Sequence, residues 1–201
     1  MSPATPAPAS PPAAAAPPLT LLVGRRDLLV VAGLPGAGKS TLLGRLRAGA
    51  RDSVHVLDSD QVRDALRSAF PDALPYAWYR PLVHLLHRLR IGAYALFGSG
   101  PLVVHEPATR VTTRAGLVVL GVLSRRPRRL LWLDANPWEA LAGQRVRGRV
   151  IPGRSFERHV RRAVRLRRAL RDGRTPLGWS AVTVLTRGQA ADGLRLAVTS
   201  P

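Results

Sequence analysis

The chain has 201 residues, a formal net charge of +19 and no cysteine. That length suffices for one domain with a sizeable core. The missing cysteines exclude disulfides, thiolate metal sites and thiol catalysis, and no uncharged apolar run reaches the roughly 18 residues of a membrane span.

Residues 1–18 are almost wholly Pro, Ala, Ser and Thr. They offer little to bury and read as a disordered or polyproline-like tail. Neither a cationic start nor an apolar run precedes Leu19, so the stretch does not read as a signal peptide, and a cytoplasmic protein is expected. Residues 19–201 read as one domain. Leu28–Ala32 (LLVVA) is a short, wholly apolar run between a charge and a glycine, the pattern of a strand buried on both faces.

The next nine residues carry the strongest signal. Gly33, Leu34, Pro35, Gly36, Ala37, Gly38, Lys39, Ser40 and Thr41 spell GLPGAGKST, a phosphate-binding loop set between a strand and a helix. Its glycines let the backbone curl so that several N–H groups face one cavity, and the following helix adds its positive end. Of 31 cationic Lys and Arg residues only Lys39 is lysine. It brings a compact charge on a flexible stem to terminal phosphates, where arginine's broad fork fits poorly. Ser40 places a hydroxyl where Mg²⁺ would be held.

Beyond the Lys39–Arg47 helix, Val54–Leu57 reads as a second strand and Asp60–Ala69 as a helix. Asp60 and Arg63 then share one helix face, a carboxylate able to take a proton beside a guanidinium able to hold an anion. Ser59 or Asp60 serves equally as a plain helix cap, with Arg63 on a solvated face. Asp58, nearer the strand end, is placed to share the base role or to assist Mg²⁺. Trp78–Phe97 is a long helix whose period is given by Leu82, Leu85, Leu86 and Leu89, and the segment Phe70–Tyr94 is expected to build the pocket of any acceptor, although it carries no recognisable substrate signature. Leu102–His105 is a third strand ending in Glu106, an approximate Walker B acid next to the loop serine. Arg110 and Arg114 follow at helical spacing on Thr109–Arg125 and either line the same mouth or lie on the surface.

Leu130–Leu133 is the fourth strand. Pro137 suits the first turn of a helix to about Arg147, and Ser155 is the expected N-cap of a helix to Arg171. Between Arg145 and Arg174 twelve arginines face only Glu157 and Asp172. Such a field attracts polyanions, either nucleotides or nucleic acid, although a composition rich in Ala, Arg, Gly and Pro is also what a GC-rich genome writes. Ala181–Leu185 is the fifth strand. Strands alternating with helices give an α/β fold with a mostly parallel sheet. Ligands then bind beyond the carboxyl ends of its strands.

GLPGAGKST, Asp60-x-x-Arg63 and the cationic 137–172 segment together make residues 27–187 resemble P-loop kinases of the polynucleotide-kinase, zeta-toxin and gluconate-kinase type and related AAA family ATPases. The resemblance implies a five-stranded P-loop sheet of order 2-3-1-4-5, counting the strands above. It implies ATP and Mg²⁺, with Ser40 and Glu106 on the metal. It also implies γ-phosphoryl transfer to a hydroxyl acceptor. Lys39 and Asp60 would be catalytic, with Asp58, Asp60, Arg63 and Arg110 on the acceptor. A helical lid would contribute Arg145 or Arg149, four apart. The rivals are an ATPase or switch without an acceptor and a kinase of polynucleotide 5′-hydroxyl ends. A zinc site at His84-x-x-His87 is less favoured than two packed histidines. Trp132 reads as core, and Trp78, Trp138 and Trp179 as packing residues. Aromatics at 5% give no stacking platform for single strands.

Overall fold

The computed structural model describes residues 18–49, 54–70, 74–148 and 150–199. Residues 1–17, nearly all of the expected tail, and Arg149 lie outside the described residues. In chain order the elements are β1 (Leu19–Gly24), β2 (Leu28–Gly33), α1 (Lys39–Gly49), β3 (His55–Leu57), α2 (Ser59–Ala69), α3 (Tyr76–Phe97) and β4 (Leu102–His105). Then come α4 (Val111–Leu123), β5 (Arg128–Asp134), α5 (Pro137–Val146), α6 (Gly153–Arg171), β6 (Ala181–Thr186), α7 (Arg187–Asp192) and β7 (Leu194–Thr199).

Five strands form one parallel sheet in the order β3-β4-β2-β5-β6. This is the 2-3-1-4-5 order expected for the five strands read from the sequence. Every residue of β2 is buried, which is why its sequence is a run of Leu, Val and Ala rather than an alternation. Each such Leu or Val contributes about 1.5–3 kcal/mol by leaving water. Chain connections depart in opposite directions on the two sides of β2, so a crevice opens at its carboxyl end.

β1 and β7 form a separate two-stranded parallel sheet, in register from Leu19 with Leu194 to Gly24 with Thr199. It tucks Leu21, Val23 and Leu194 into the main core.

Three expectations need correction. On α3 the buried face is Tyr79, Val83, His87, Ile91 and Ala95, whereas Leu82, Leu85 and Leu89 are exposed. The helix meets α2 and the sheet along the first set, and both sets have a helical period, so periodicity alone does not choose between them. α6 starts at Gly153 behind Pro152, with no side-chain cap, so Ser155 lies inside the helix. Trp132 and Trp179 are buried as expected, but Trp78 and Trp138 are exposed.

The α5–α6 segment is anchored rather than free, because Ala163 and Leu166 of α6 join the core. One arginine has a purely structural part: Arg126 is 1% exposed and donates to the carbonyls of Tyr94, Ala95, Gly98 and Gly100, closing the end of α3. No described helix is long and apolar enough to cross a membrane.

Candidate functional site

The loop that leaves β2 turns tightly, with the Ala37 amide donating to the Leu34 carbonyl at 3.0 Å. Gly36 has φ +90°, and a Cβ there would stand 2.0 Å from the Ala140 carbonyl oxygen of α5. Glycine is therefore required twice over, by the backbone angle and by the approach. α5 holds the loop from behind. Gly143 comes so near that its own Cβ would meet the Gly36 carbonyl at 2.2 Å. The next residue, Gln144, donates to the Pro35 carbonyl at 3.0 Å and accepts from the Ile151 amide at 2.9 Å. This buried glutamine ties the loop to the turn between α5 and α6.

Lys39 opens α1 and is buried. Its Nζ donates to the carbonyls of Leu34 at 2.7 Å and Gly33 at 3.1 Å, so the ammonium lies along its own loop. Burial pushes its pKa down to about 7, the nearby Arg147 guanidinium adds to that, and Asp58 and Glu106 oppose it. An anion entering the loop restores what burial takes from this charge.

Asp58 caps α2. It accepts from the Asp60 amide at 3.1 Å while Gln61 reaches back to the Asp58 amide, a complete capping box. The same carboxylate meets His105 Nδ1 at 2.7 Å. Burial works against its charge, but His105, the Asp60 amide and the Ser40 hydroxyl outweigh that and hold the carboxyl well below the usual range. Glu106 follows His105. Burial raises its pKa, against the pull of Arg88, which lies 3.7 Å away.

A cavity of about 960 Å³ opens over these groups. It is lined by Pro35, Gly36, Gly38, Lys39 and Ser40 of the loop and by Tyr76, Arg80, His84 and Arg88 of α3. His105, Glu106 and Arg110 line it too, and Arg147 and Ile151 contribute from the α5–α6 turn. A smaller cavity of about 180 Å³, sharing Ser40, is lined by Asp58, Asp60, Gln61 and Asp64.

The sequence-selected residues are dispersed over the site. Pro35, Gly36, Gly38, Lys39, Ser40, Glu106 and Arg110 line the large cavity. Gly33, Leu34 and Ala37 are buried beneath it, and Thr41 accepts from Arg147 at 2.9 Å. Asp58 and Asp60 line the smaller cavity. Arg63 lines neither and pairs with Asp60 at 3.3 Å and Asp64 at 2.8 Å.

Arg145 is exposed and away from both cavities. α5 ends at Val146 and Arg147 is its C-cap, while Arg149 lies outside the described residues. The arginine that reaches the loop is Arg147. Its signal was the RVRGR repeat, in which the glycine marks the helix end. The roles of His105 and Gln144 escaped the sequence, whereas the Phe70–Tyr94 segment does contribute Tyr76, Arg80, His84 and Arg88 to the cavity lining. His84 and His87 part company, His84 lining the cavity and buried His87 facing the His105 carbonyl at 2.8 Å.

The site's chemistry suits nucleotide phosphates. Its glycine loop, helix N-terminus, buried lysine and Arg147 converge on one wall. Among the described residues no group of three or more His, Asp or Glu side chains is placed to hold a metal by itself. Ser40 hydrogen-bonds the Asp58 carboxylate, and Ser40 and Glu106 both line the large cavity.

Residues 28–173 match the family model described as an AAA domain. No curated protein sequence matches at a significant level. Among solved structures, the chain is similar to one from the PezAT chromosomal toxin–antitoxin system of Streptococcus pneumoniae (TM-score 0.61, 13% identity, 85% of this chain and 71% of that one). It is similar to one from the Pnkp1/Rnl/Hen1 RNA repair complex (TM-score 0.55, 19% identity, 73% of this chain), where it spans only 46% of the other chain. It is also similar to the tunicamycin resistance protein of Deinococcus radiodurans (TM-score 0.50, 16% identity, 82% and 93%). At these identities the likeness is one of fold.

Proposed function

We propose that this chain, which belongs to the AAA domain family and has the fold of the P-loop kinases, is a phosphotransferase that moves the γ-phosphoryl group of Mg-ATP to a hydroxyl acceptor. The observation that carries this is the shape of the large cavity. At about 960 Å³ it lies at the top of the range for a single small-molecule site, roughly 300–1,000 Å³. It also has a wall on α3, supplied by Tyr76, Arg80, His84 and Arg88, in addition to the phosphate loop. A simple ATPase has no use for that wall.

In the proposed reaction the acceptor oxygen attacks the γ-phosphorus and the bond to the β–γ bridging oxygen breaks, releasing ADP. The hydroxyl proton passes to a carboxylate. The protein's work is positioning and charge neutralisation. Lys39 leaves the Gly33 and Leu34 carbonyls for the phosphates, and Arg147 closes over them from the α5–α6 turn. Mg²⁺, held by Ser40 with Glu106 or Asp58 behind it, would offset charge on the phosphate oxygens.

Asp60 is the proposed base. Asp58 is spent on the α2 cap and on His105, and a carboxyl held so far below the ordinary range is a poor proton acceptor. Asp60 sits one turn from Arg63, beside Ser40 across the smaller cavity.

The test is to incubate the protein with γ-labelled ATP, a metabolite extract and 5′-hydroxyl oligonucleotides. Label in a new phosphoester supports the proposal, and its position on oligonucleotide would make the acceptor a nucleic-acid end. Label released only as orthophosphate would mean an ATPase or switch.

A further inference from the structure

We propose that the acceptor itself carries a phosphate monoester, bound by Arg80 and Arg88 of α3 together with Arg110 at the start of α4. This inference rests on the phosphotransferase reading and names the substrate class of that site.

The α3 wall is built at four-residue spacing. Tyr76, Arg80, His84 and Arg88 all line the large cavity, one above the other along a helix face. Arg110 enters the same cavity as the N-cap of α4, which has no side-chain capping bond, and Thr112 and Thr113 of the first turn line it too. The positive end of α4 thus adds to the field of the guanidiniums. Lys39 and Arg147 lie at the loop, where the nucleotide takes them.

The charges decide the class. Of the three remaining arginines only Arg88 has an acid near it, Glu106 at 3.7 Å. Among the described residues Arg80 and Arg110 make no ion pair. Three guanidiniums against one carboxylate leave two positive charges facing the cavity. A phosphate monoester carries about −1.5 to −2 at neutral pH and matches them. A carboxylate or a phosphodiester, at about −1, matches only one of the two. The fork geometry of arginine suits such an oxyanion, and the threonine hydroxyls supply further donors. Burial, helped by Arg80 and Arg88, lowers the pKa of His84. A neutral imidazole between the two guanidiniums is then able to donate one hydrogen bond without adding repulsion.

The probe is inorganic phosphate. The protein is first saturated with Mg-adenylyl imidodiphosphate, which fills the loop, and phosphate is then titrated calorimetrically, with acetate as the monoanion control. Phosphate should bind at least tenfold more tightly than acetate. The Arg80→Gln/Arg110→Gln double variant should lose at least tenfold in phosphate affinity. Both side chains are on the surface, and nucleotide affinity measured in the same samples reports whether the loop is intact. A protein that takes up no nucleotide would defeat the phosphotransferase proposal itself. Nucleotide uptake with no phosphate preference, or phosphate binding unaltered in the double variant, would overturn the acceptor inference alone. So would an oligodeoxynucleotide that displaces phosphate at lower phosphate-group concentration than glycerol 3-phosphate does, since a strand would then be the ligand.

Discussion

Gly36→Ala tests whether α5 braces the phosphate loop. Two costs add at this position. The backbone angle of φ +90° is one that L side chains rarely adopt, at about 1–3 kcal/mol. The new methyl would also lie 2.0 Å from the Ala140 carbonyl oxygen and 2.8 Å from Gln144 Cγ. Relieving that overlap needs a shift of about 1 Å in the loop or in α5, an overpacking cost of about 1–3 kcal/mol. The sum is about 2–6 kcal/mol. In a domain of this size each kcal/mol lowers Tm by about 2–4 °C, so a fall of roughly 5–20 °C is expected. A loop displaced by about 1 Å should also lose about a hundredfold in the transfer rate. Differential scanning calorimetry reads the first effect, the rate of γ-phosphoryl transfer reads the second, and a Mg-ATP titration reports whether the displaced loop still binds nucleotide. Gly92→Ala is the control. It lies in α3 with nothing within 4 Å of its would-be Cβ and should stabilise the protein by about 0.5–1 kcal/mol through helix propensity alone. If Gly36→Ala melts within 2 °C of the parent and binds Mg-ATP within about twofold of it, α5 does not hold the loop as described.

Three further outcomes are expected. Arg147→Ala should slow transfer by about two orders of magnitude, whereas Arg145→Ala, away from both cavities, should stay within about twofold; the reverse order would move the functional arginine back to Arg145. Asp60→Asn should cut transfer by about two to four orders of magnitude while ATP affinity changes little, and near-normal transfer would remove Asp60 as the base. Lys39 has a pKa near 7 in the ligand-free protein, and bound phosphate raises it. Mg-ATP binding at pH 8 should therefore take up close to one proton, detectable by calorimetry in buffers of different ionisation enthalpy, and affinity should fall by up to about tenfold per pH unit above 7. In the ligand-free protein the sign for stability is opposite. Between about 7 and the ordinary value of 10.5 the unfolded chain holds a proton that the folded one lacks, so this group's contribution to stability rises with pH. Binding without proton uptake would mean that Lys39 is charged before the nucleotide arrives.

The parts of the site that were legible in the sequence are those written locally. GLPGAGKST names its chemistry because nine consecutive residues build the loop, and β2 announces itself by being apolar throughout. What escaped depends on distant pairings. Leu19–Gly24 and Leu194–Thr199 have the alternation of half-buried strands, but nothing in either run says that they pair across nearly the whole chain. Thr186 and Gln189 form a capping box that would have given the start of α7. Asp58, rather than Ser59 or Asp60, turned out to be the cap, because α2 starts at Ser59 and the strand-end carboxylate is the one that meets the Asp60 amide. The segment that lines the cavity from α3 was legible, but which of its residues do so was hidden by its own composition. Leu82, Leu85 and Leu89 suggest the packed face, yet Val83 and His87 are the ones that pack and Arg80, His84 and Arg88 are the ones that face the cavity.

The most direct test of the central claim is a Mg-ATP titration of the parent and of Lys39→Met, which keeps the buried stem and removes only the charge. Lys39 is 4% exposed and, among the described residues, its ammonium hydrogen-bonds only to its own loop, so the variant should fold with a Tm within a few degrees of the parent. The phosphate-loop account predicts tight, Mg²⁺-dependent binding by the parent and a loss of at least about a hundredfold in the variant, since its charge-assisted bonds to phosphate, about 1.5–3 kcal/mol each, vanish together. Equal binding by the two proteins, or none by the parent, would contradict it.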